Sequence, residues 1–136
     1  MLKKISHIGL AVLNIDRAIE FYRDVLKMEI RGRVKVESQG VEIAFLNIGG
    51  TAEVELLAPL RDDSGVARFL AKHGPGIHHI CYEVDDIEQR LTWLKDHGVA
   101  LIDEQPRIGA EGDKIAFARP ESMLGVLTEF KELRKR

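Results

Sequence analysis

Two histidines, His7 and His79, occupy the same place in two similar stretches of the chain. Residues 6–15 read SHIGLAVLNI and residues 78–87 read HHICYEVDDI, so the second stretch repeats the first after about half the chain. Histidine is the commonest metal ligand in proteins, whereas a single buried histidine is more often a packed residue. Packing gives no reason for histidine to recur at equivalent positions, so the repetition favours a metal ligand at both.

Each half of the chain also places one glutamate inside an apolar run. Glu55 lies within VELL (54–57) and Glu129 within VLTEF (126–130). A carboxylate in such a strand either faces solvent or has a partner, and for one glutamate these alternatives are about even. Two glutamates at matching places, together with the two histidines, favour a mixed His₂Glu₂ site. Imidazole and carboxylate ligands suit a divalent first-row metal and leave positions for substrate and water.

The elements that must position these four residues repeat as well, and each half is predicted to have the order β-α-β-β-β. The first helix begins near Asn14 and the second near Asp85 or Asp86, since these residue types are good N-caps. The periodicity then changes from 3.6 to 2, which indicates strands. The predicted later strands are 28–37, 41–48 and 51–58 in the first half and 100–104, 114–118 and 125–130 in the second.

These elements predict a single α+β domain over residues 1–136. Its first β-α-β-β-β module covers residues 1–60, a linker helix lies within 61–76, and the second module covers 77–131. The short linker helix is expected to run from residue 63 or 64 to residue 73.

Composition narrows the possible functions. The formal net charge is −2, so we expect no nucleic-acid partner. Cys81 is the single cysteine, which excludes a disulfide framework and a cysteine-rich zinc site. No apolar run is long enough to span a membrane, and patterned sequence begins at once, so we expect a cytoplasmic protein.

These residues resemble the vicinal oxygen chelate superfamily, and within it the methylmalonyl-CoA epimerases along nearly the whole chain. The weakly specific stretch HIGLAV (7–12) is shared by the whole superfamily. More specific to the epimerases are GPGIHHICYEVDD (74–86) and PRIGAEGDKIAF (106–117). Further similar stretches are QGV (39–41), VELLAPL (54–60), VARFLAK (66–72) and GVLTE (125–129).

The resemblance implies a fold, an activity and a set of site residues. The two modules would form a curved, cup-like mixed sheet around a metal ion. The enzyme would interconvert (2R)- and (2S)-methylmalonyl-CoA by removing and returning the C2 proton through a metal-stabilised enolate. The metal is expected to be Co²⁺, with Mn²⁺, Ni²⁺ or Zn²⁺ as alternatives, and the chain is expected to form a homodimer. The implied metal ligands are His7, Glu55, His79 and Glu129, and the implied acid/base residues are Glu129 and Glu55.

The sequence departs from the epimerase pattern at two places. Some epimerases have an acid/base glutamate four residues after the glutamine of QGV, and that position is Ile43 here. Glu42 lies one residue earlier, and strand alternation would point it to the other face unless a bulge intervened. The stretch RPESM (119–123) replaces a His-Pro-Lys stretch, which leaves Arg107, Lys114 and Arg119 as possible coenzyme A phosphate partners.

Two other functions fit the same resemblance. A glyoxalase I-like lactoylglutathione lyase uses a similar metal quartet and the same proton-transfer logic, and fold alone does not separate it from an epimerase. A non-catalytic small-molecule binding protein is the alternative from another class, but such proteins typically lose the metal ligands that this chain retains. An extradiol dioxygenase fits less well because it is usually a larger chain.

Overall fold

The computed structural model describes residues 1–135, which divide into two compact units. The N-terminal unit is His7–His78, and the C-terminal unit combines Met1–Ser6 with the chain from His79 onward. The strands are β1 (Leu2–Ala11), β2 (Glu29–Val36), β3 (Val41–Asn47), β4 (Glu53–Pro59), β5 (Gly76–Val84), β6 (Arg107–Ile108), β7 (Lys114–Ala118) and β8 (Thr128–Glu132). The α-helices are α1 (Ile15–Glu20), α2 (Gly65–His73) and α3 (Ile87–Asp96). The α+β class and the repeated β-α-β-β-β order are confirmed.

The N-terminal unit has strand order β2-β3-β4-β1. β1 runs parallel to β4, with Gly9 opposite Glu55 and Ala11 opposite Leu57, while β2, β3 and β4 pair antiparallel. Asn14 caps helix α1, because its side chain accepts a hydrogen bond from the backbone N–H of Arg17 at 3.0 Å.

The C-terminal unit has the equivalent order β5-β8-β7-β6. β5 runs parallel to β8, with Cys81 opposite Glu129, while β7 pairs antiparallel with β8 and with β6. Asp86 caps helix α3, because its carboxylate accepts a hydrogen bond from the backbone N–H of Gln89 at 3.1 Å. Asn14 and Asp86 thus have the same N-cap role in the two halves.

Apolar side chains cover both faces of the N-terminal sheet. One cluster joins α1 to the sheet through Ile15, Ile19, Met28, Ala44, Leu46, Leu56 and Ala58. The other joins α2 to the opposite face through Ala11, Val41, Ile43, Phe45, Leu57 and Val66. In the C-terminal unit the cluster lies under α3 and contains Val84, Ile87, Leu91, Ala116, Ala118 and Phe130.

Three predicted elements differ from the structure. The first helix keeps α-geometry only to Glu20, because Phe21–Val25 forms a π-helical turn. The strand predicted at 100–104 is reduced to one bridge between Leu101 and Ala118, and the short second strand of that module is β6 instead. The last strand begins at Thr128 rather than residue 125, because Leu124 and Gly125 both adopt positive φ.

The linker helix α2 matches its prediction closely. Ser64 caps it by accepting the backbone N–H of Ala67 at 3.1 Å, and Gly74 follows it with φ of +74°. Within the described residues, no helix is long and apolar enough to cross a membrane.

Candidate functional site

The N-terminal unit brings His7 and Glu55 together. His7 lies on β1 and Glu55 on the adjacent parallel strand β4. The Nδ1 atom of His7 is 3.2 Å from Oε2 of Glu55. His7 is 3% exposed and Glu55 is 6% exposed, so this imidazole–carboxylate pair is almost completely removed from solvent. A buried carboxylate requires such a partner, because an isolated buried charge is costly.

The C-terminal unit repeats this arrangement with His79 and Glu129. His79 lies on β5 and Glu129 on its parallel neighbour β8. The Nε2 atom of His79 is 3.1 Å from Oε1 of Glu129, and both residues are buried. Each unit therefore builds one pair by the same means, with histidine on the first strand of the module and glutamate on the last.

A phenylalanine lies beside each glutamate on the neighbouring antiparallel strand. Phe45 on β3 is the register partner of Glu55, and Phe117 on β7 is the register partner of Glu129. The Phe117 ring meets the His79 ring edge-on, with centroids 5.6 Å apart. Sequence reasoning missed both rings, although Phe45 and Phe117 have the same separation in the chain as His7 and His79.

An arginine in turn covers each of these rings. The guanidinium carbon of Arg31 is 4.6 Å from the centroid of Phe45, and that of Arg107 is 5.6 Å from the centroid of Phe117. A cation over an aromatic face at these distances is attracted by the ring quadrupole. No signal in the sequence identifies this pairing, because the two arginines are not equally spaced from their phenylalanines.

Glu42 does not face the same side of the sheet as Glu55. The pairing of β3 with β4 continues without a shift from Val41 to Leu46, so no bulge turns Glu42 towards the Glu55 face. The Glu42 carboxylate instead accepts hydrogen bonds from Arg33 at 2.9 and 3.2 Å. Ile43 is buried in the apolar cluster under α2.

The single cysteine, Cys81, lies inside the sheet and not on the protein surface. Cys81 is completely buried, and its Sγ atom is 3.9 Å from the carbonyl oxygen of Tyr82. This environment is that of a small packed side chain.

The donor chemistry of both pairs fits a divalent metal ion. Buried imidazole nitrogens and carboxylate oxygens are the ligands that first-row divalent cations use in proteins. The four buried residues His7, Glu55, His79 and Glu129 can therefore supply metal ligands, and their chemistry is not that of a cysteine-type structural zinc site.

Comparison with known proteins identifies the family of the chain. The model of the Glyoxalase/Bleomycin resistance protein/Dioxygenase superfamily matches residues 6–117. The chain belongs to this superfamily. Members share a fold, and their activities are set by the residues placed on it.

Similar proteins include epimerases and uncharacterised proteins. The uncharacterised protein YqjC of Bacillus subtilis is 42% identical over 131 residues, covering 96% of this chain and 93% of YqjC. The mitochondrial methylmalonyl-CoA epimerase of Bos taurus is 37% identical over 132 residues, covering 96% of this chain and 75% of the bovine protein. A structure of a methylmalonyl-CoA epimerase in complex with methylmalonyl-CoA and NH₄⁺ superimposes with a TM-score of 0.92 at 38% identity, covering 98% of this chain and 96% of that one.

Proposed function

We propose that this chain is a metal-dependent epimerase that interconverts (2R)- and (2S)-methylmalonyl-CoA. The observation that carries the proposal is the repetition of a buried His–Glu pair, His7–Glu55 and His79–Glu129, in a chain similar to methylmalonyl-CoA epimerases. We infer that the two pairs together form one ligand set, because a protein metal site usually needs three or four protein ligands and each pair supplies two.

A divalent cation held by these residues would supply positive charge to the oxygens of the substrate, which favours loss of a proton from the carbon between them. Cobalt is the first candidate for this cation, with manganese, nickel and zinc as alternatives. We also propose that the chain acts as a homodimer.

The carboxylates of Glu55 and Glu129 are the proposed acid/base groups. One carboxylate accepts the C2 proton, and the electron pair of the broken C–H bond moves towards the thioester oxygen. Return of a proton to the opposite face of C2 completes the inversion, and the proposed donor is the second glutamate in its protonated, carboxylic acid form, which is left as a carboxylate. Positioned carboxylates contribute about 10²–10⁴-fold to such transfers.

The conformation of β3 supports this assignment over one that uses Glu42. Glu42 is bound to Arg33 and points away from the face that carries Glu55. The equivalent place on the Glu55 face is filled by Ile43, which has no proton to exchange. Glu55 and Glu129 are buried carboxylates in equivalent positions of the two modules, so they are the better candidates for a two-base reaction.

Proton NMR of (2S)-methylmalonyl-CoA in D₂O tests the proposal. We expect loss of the C2 proton signal with inversion at C2, abolished by a chelator and restored by added Co²⁺. Glu129→Gln should slow the exchange by about 10²–10⁴-fold. If the folded, metal-loaded protein exchanged no C2 proton, the epimerase proposal would be wrong. The glutathione–methylglyoxal adduct would then be the next substrate to test.

A further inference from the structure

The ring-stacked arginines have different hydrogen-bond environments in the two units. In the N-terminal unit, Arg31 donates from Nε and from one terminal nitrogen to the two oxygens of Glu53, at 2.7 and 2.8 Å. This is a two-point fork between guanidinium and carboxylate, the strongest common geometry for the pair. Arg31 is therefore already bound to an oxyanion within its own unit.

Arg107 is held in a different way. Its Nε atom donates to Asp103 at 3.2 Å, and its guanidinium group lies over the ring of Phe117. Within residues 1–135, neither of its terminal nitrogens donates a hydrogen bond to another residue. The side chain is 39% exposed, so these nitrogens remain accessible to a ligand.

The surroundings of Arg107 fix its position rather than leave it as a mobile surface cation. The second oxygen of Asp103 accepts the backbone N–H of Phe117 at 2.9 Å, so one carboxylate anchors both the arginine and the strand under it. Arg107 lies on β6 and pairs with Ile115 on β7. The turn that follows is tight, because a Cβ atom on Gly109 would come within 3.0 Å of Ile115.

Arg107 is also close to the proposed ligand pair of its own unit. Phe117 contacts the guanidinium group of Arg107 and the imidazole of His79, so a single ring separates the arginine from the histidine. A guanidinium group that is held on an aromatic ring, with its two terminal nitrogens available to donate, is preorganised to bind a carboxylate or a phosphate. The proposed substrate carries both kinds of oxyanion.

We propose that Arg107 is a specificity-determining residue that binds an oxyanion of the acyl-CoA substrate, whereas Arg31 stabilises its own unit through Glu53. The proposal rests on the proposed function and deepens it. The oxyanion is either the free carboxylate of the acyl group or a phosphate of coenzyme A. The two possibilities can be distinguished with substrate analogues that lack either the carboxylate or the phosphates, because replacing Arg107 should weaken binding only of analogues that keep the oxyanion it contacts.

Calorimetry with unreactive ligands tests the proposal without relying on turnover. Dimethylmalonyl-CoA has no C2 proton, isobutyryl-CoA lacks the free carboxylate, and dimethylmalonyl-pantetheine lacks the phosphates. We expect Arg107→Gln to weaken dimethylmalonyl-CoA binding by about 10- to 100-fold, the usual loss for a charge-assisted contact. Arg107→Lys should restore only part of this affinity, because a lysine cannot offer the planar fork.

The other two ligands identify the oxyanion. If Arg107 binds the carboxylate, Arg107→Gln should weaken dimethylmalonyl-pantetheine equally and leave isobutyryl-CoA unchanged. If it binds a phosphate, the variant should weaken both CoA thioesters and leave the pantetheine thioester unchanged. Either pattern supports the proposal, and unchanged affinity for all three ligands overturns it.

Arg31→Gln is the matched control, and it should change each affinity by less than about threefold. An equal loss in both variants would overturn the special role of Arg107. If the wild type binds dimethylmalonyl-CoA but Arg107→Gln binds it equally well, this inference alone fails. If the folded, metal-loaded wild type neither binds the ligand nor exchanges the C2 proton of methylmalonyl-CoA, the proposed function fails with it.

Discussion

In the N-terminal unit, the strand positions that follow the His7–Glu55 pair carry apolar side chains. Ala11 lies four residues after His7, and its register partner Leu57 lies two residues after Glu55. Both are buried in the cluster that α2 covers through Val66. This face of the sheet is held by the hydrophobic effect in the ordinary way.

The same positions of the C-terminal unit carry opposite charges. Glu83 lies four residues after His79, and its register partner Lys131 lies two residues after Glu129. Glu83 and Lys131 are only 5% and 8% exposed. The Glu83 carboxylate is 3.5 Å from the Lys3 ammonium group, and the Lys131 ammonium group lies 3.8 Å from Glu111 and 3.9 Å from Asp113.

The two His–Glu pairs are therefore equivalent, whereas the residues packed next to them are not. One His–Glu pair is followed by apolar neighbours and the other by two buried charged residues, yet both pairs have nearly the same nitrogen–oxygen distance. Packing alone would not retain the same polar pair in two such different surroundings. The contrast therefore supports a functional reason for the pair, as the proposed metal site provides.

The largest expected effects, on bound metal and on C2 proton exchange, come from replacing either histidine of the two pairs. If both pairs serve one metal ion, His7→Ala and His79→Ala should each reduce the bound metal from one per chain to almost none. Either change should also slow C2 proton exchange by more than about 10²-fold, because a metal ligand matters more than the hydrogen-bond partners that orient it. Metal content by mass spectrometry and exchange by NMR are the measurements.

His97→Ala is the matched control, because His97 is exposed and stacks on Trp93 at the end of α3. It should keep both metal and exchange. If the wild type bound two ions and each histidine variant lost one, the pairs would be separate sites and the single-site proposal would be wrong.

A smaller effect is expected from the buried charges. Lys131→Leu introduces the residue type of Leu57 but removes the buried cation that lies 3.8 Å from Glu111 and 3.9 Å from the buried carboxylate of Asp113. Removing one partner of a buried ionic group costs roughly 3–5 kcal/mol in free energy of unfolding. Urea denaturation in the presence of a chelator would measure this cost without a contribution from bound metal.

The double variant Lys131→Leu with Glu83→Ala sharpens that test. It recreates in the C-terminal unit the Ala–Leu register pair of the N-terminal unit. We expect it to be more stable than Lys131→Leu alone, because it removes a buried carboxylate whose cation partners, Lys3 and Lys4, are exposed and can be hydrated without it. A double variant less stable than the single one would show that the contacts of Glu83, including its ion pairs with Lys3 and Lys4, stabilise the unit by more than the burial of its carboxylate costs.

The sequence allowed prediction of features that depend on residue type and repetition. His7 and His79 stood out because they recur, and the four proposed ligands lie on the predicted strands of each module. The α2 helix was predicted to run from residue 63 or 64 to residue 73, and in the structure Ser64 and Gly74 are the residues that cap its two ends. Residue type and recurrence can be recognised without knowing which distant residues are in contact.

Features that depend on contacts between distant residues were not predicted. The strand expected at 100–104 is shortened to one bridge with β7, and beyond that bridge the Phe117 N–H donates to the Asp103 carboxylate rather than to a backbone carbonyl. The contact of Arg107 with Phe117 also depends on how β6 and β7 pair. Neither arrangement follows from local propensity or hydrophobic periodicity.

The smallest expected effect compares the helix caps, which are equivalent in the two units. Asn14→Ala and Asp86→Ala each remove the side-chain acceptor for a backbone N–H at the start of a helix, and each should lower the free energy of unfolding by about 1 kcal/mol. Asn14→Asp gives the N-terminal unit the charged cap of the C-terminal unit. Because an anion is favourable at a helix N-terminus, this change should stabilise by about 0.3–1 kcal/mol at low ionic strength and by less in high salt. Urea denaturation at two salt concentrations measures the free energy of unfolding of all three variants. If the stabilisation by Asn14→Asp did not fall with increasing salt, the electrostatic explanation would be contradicted.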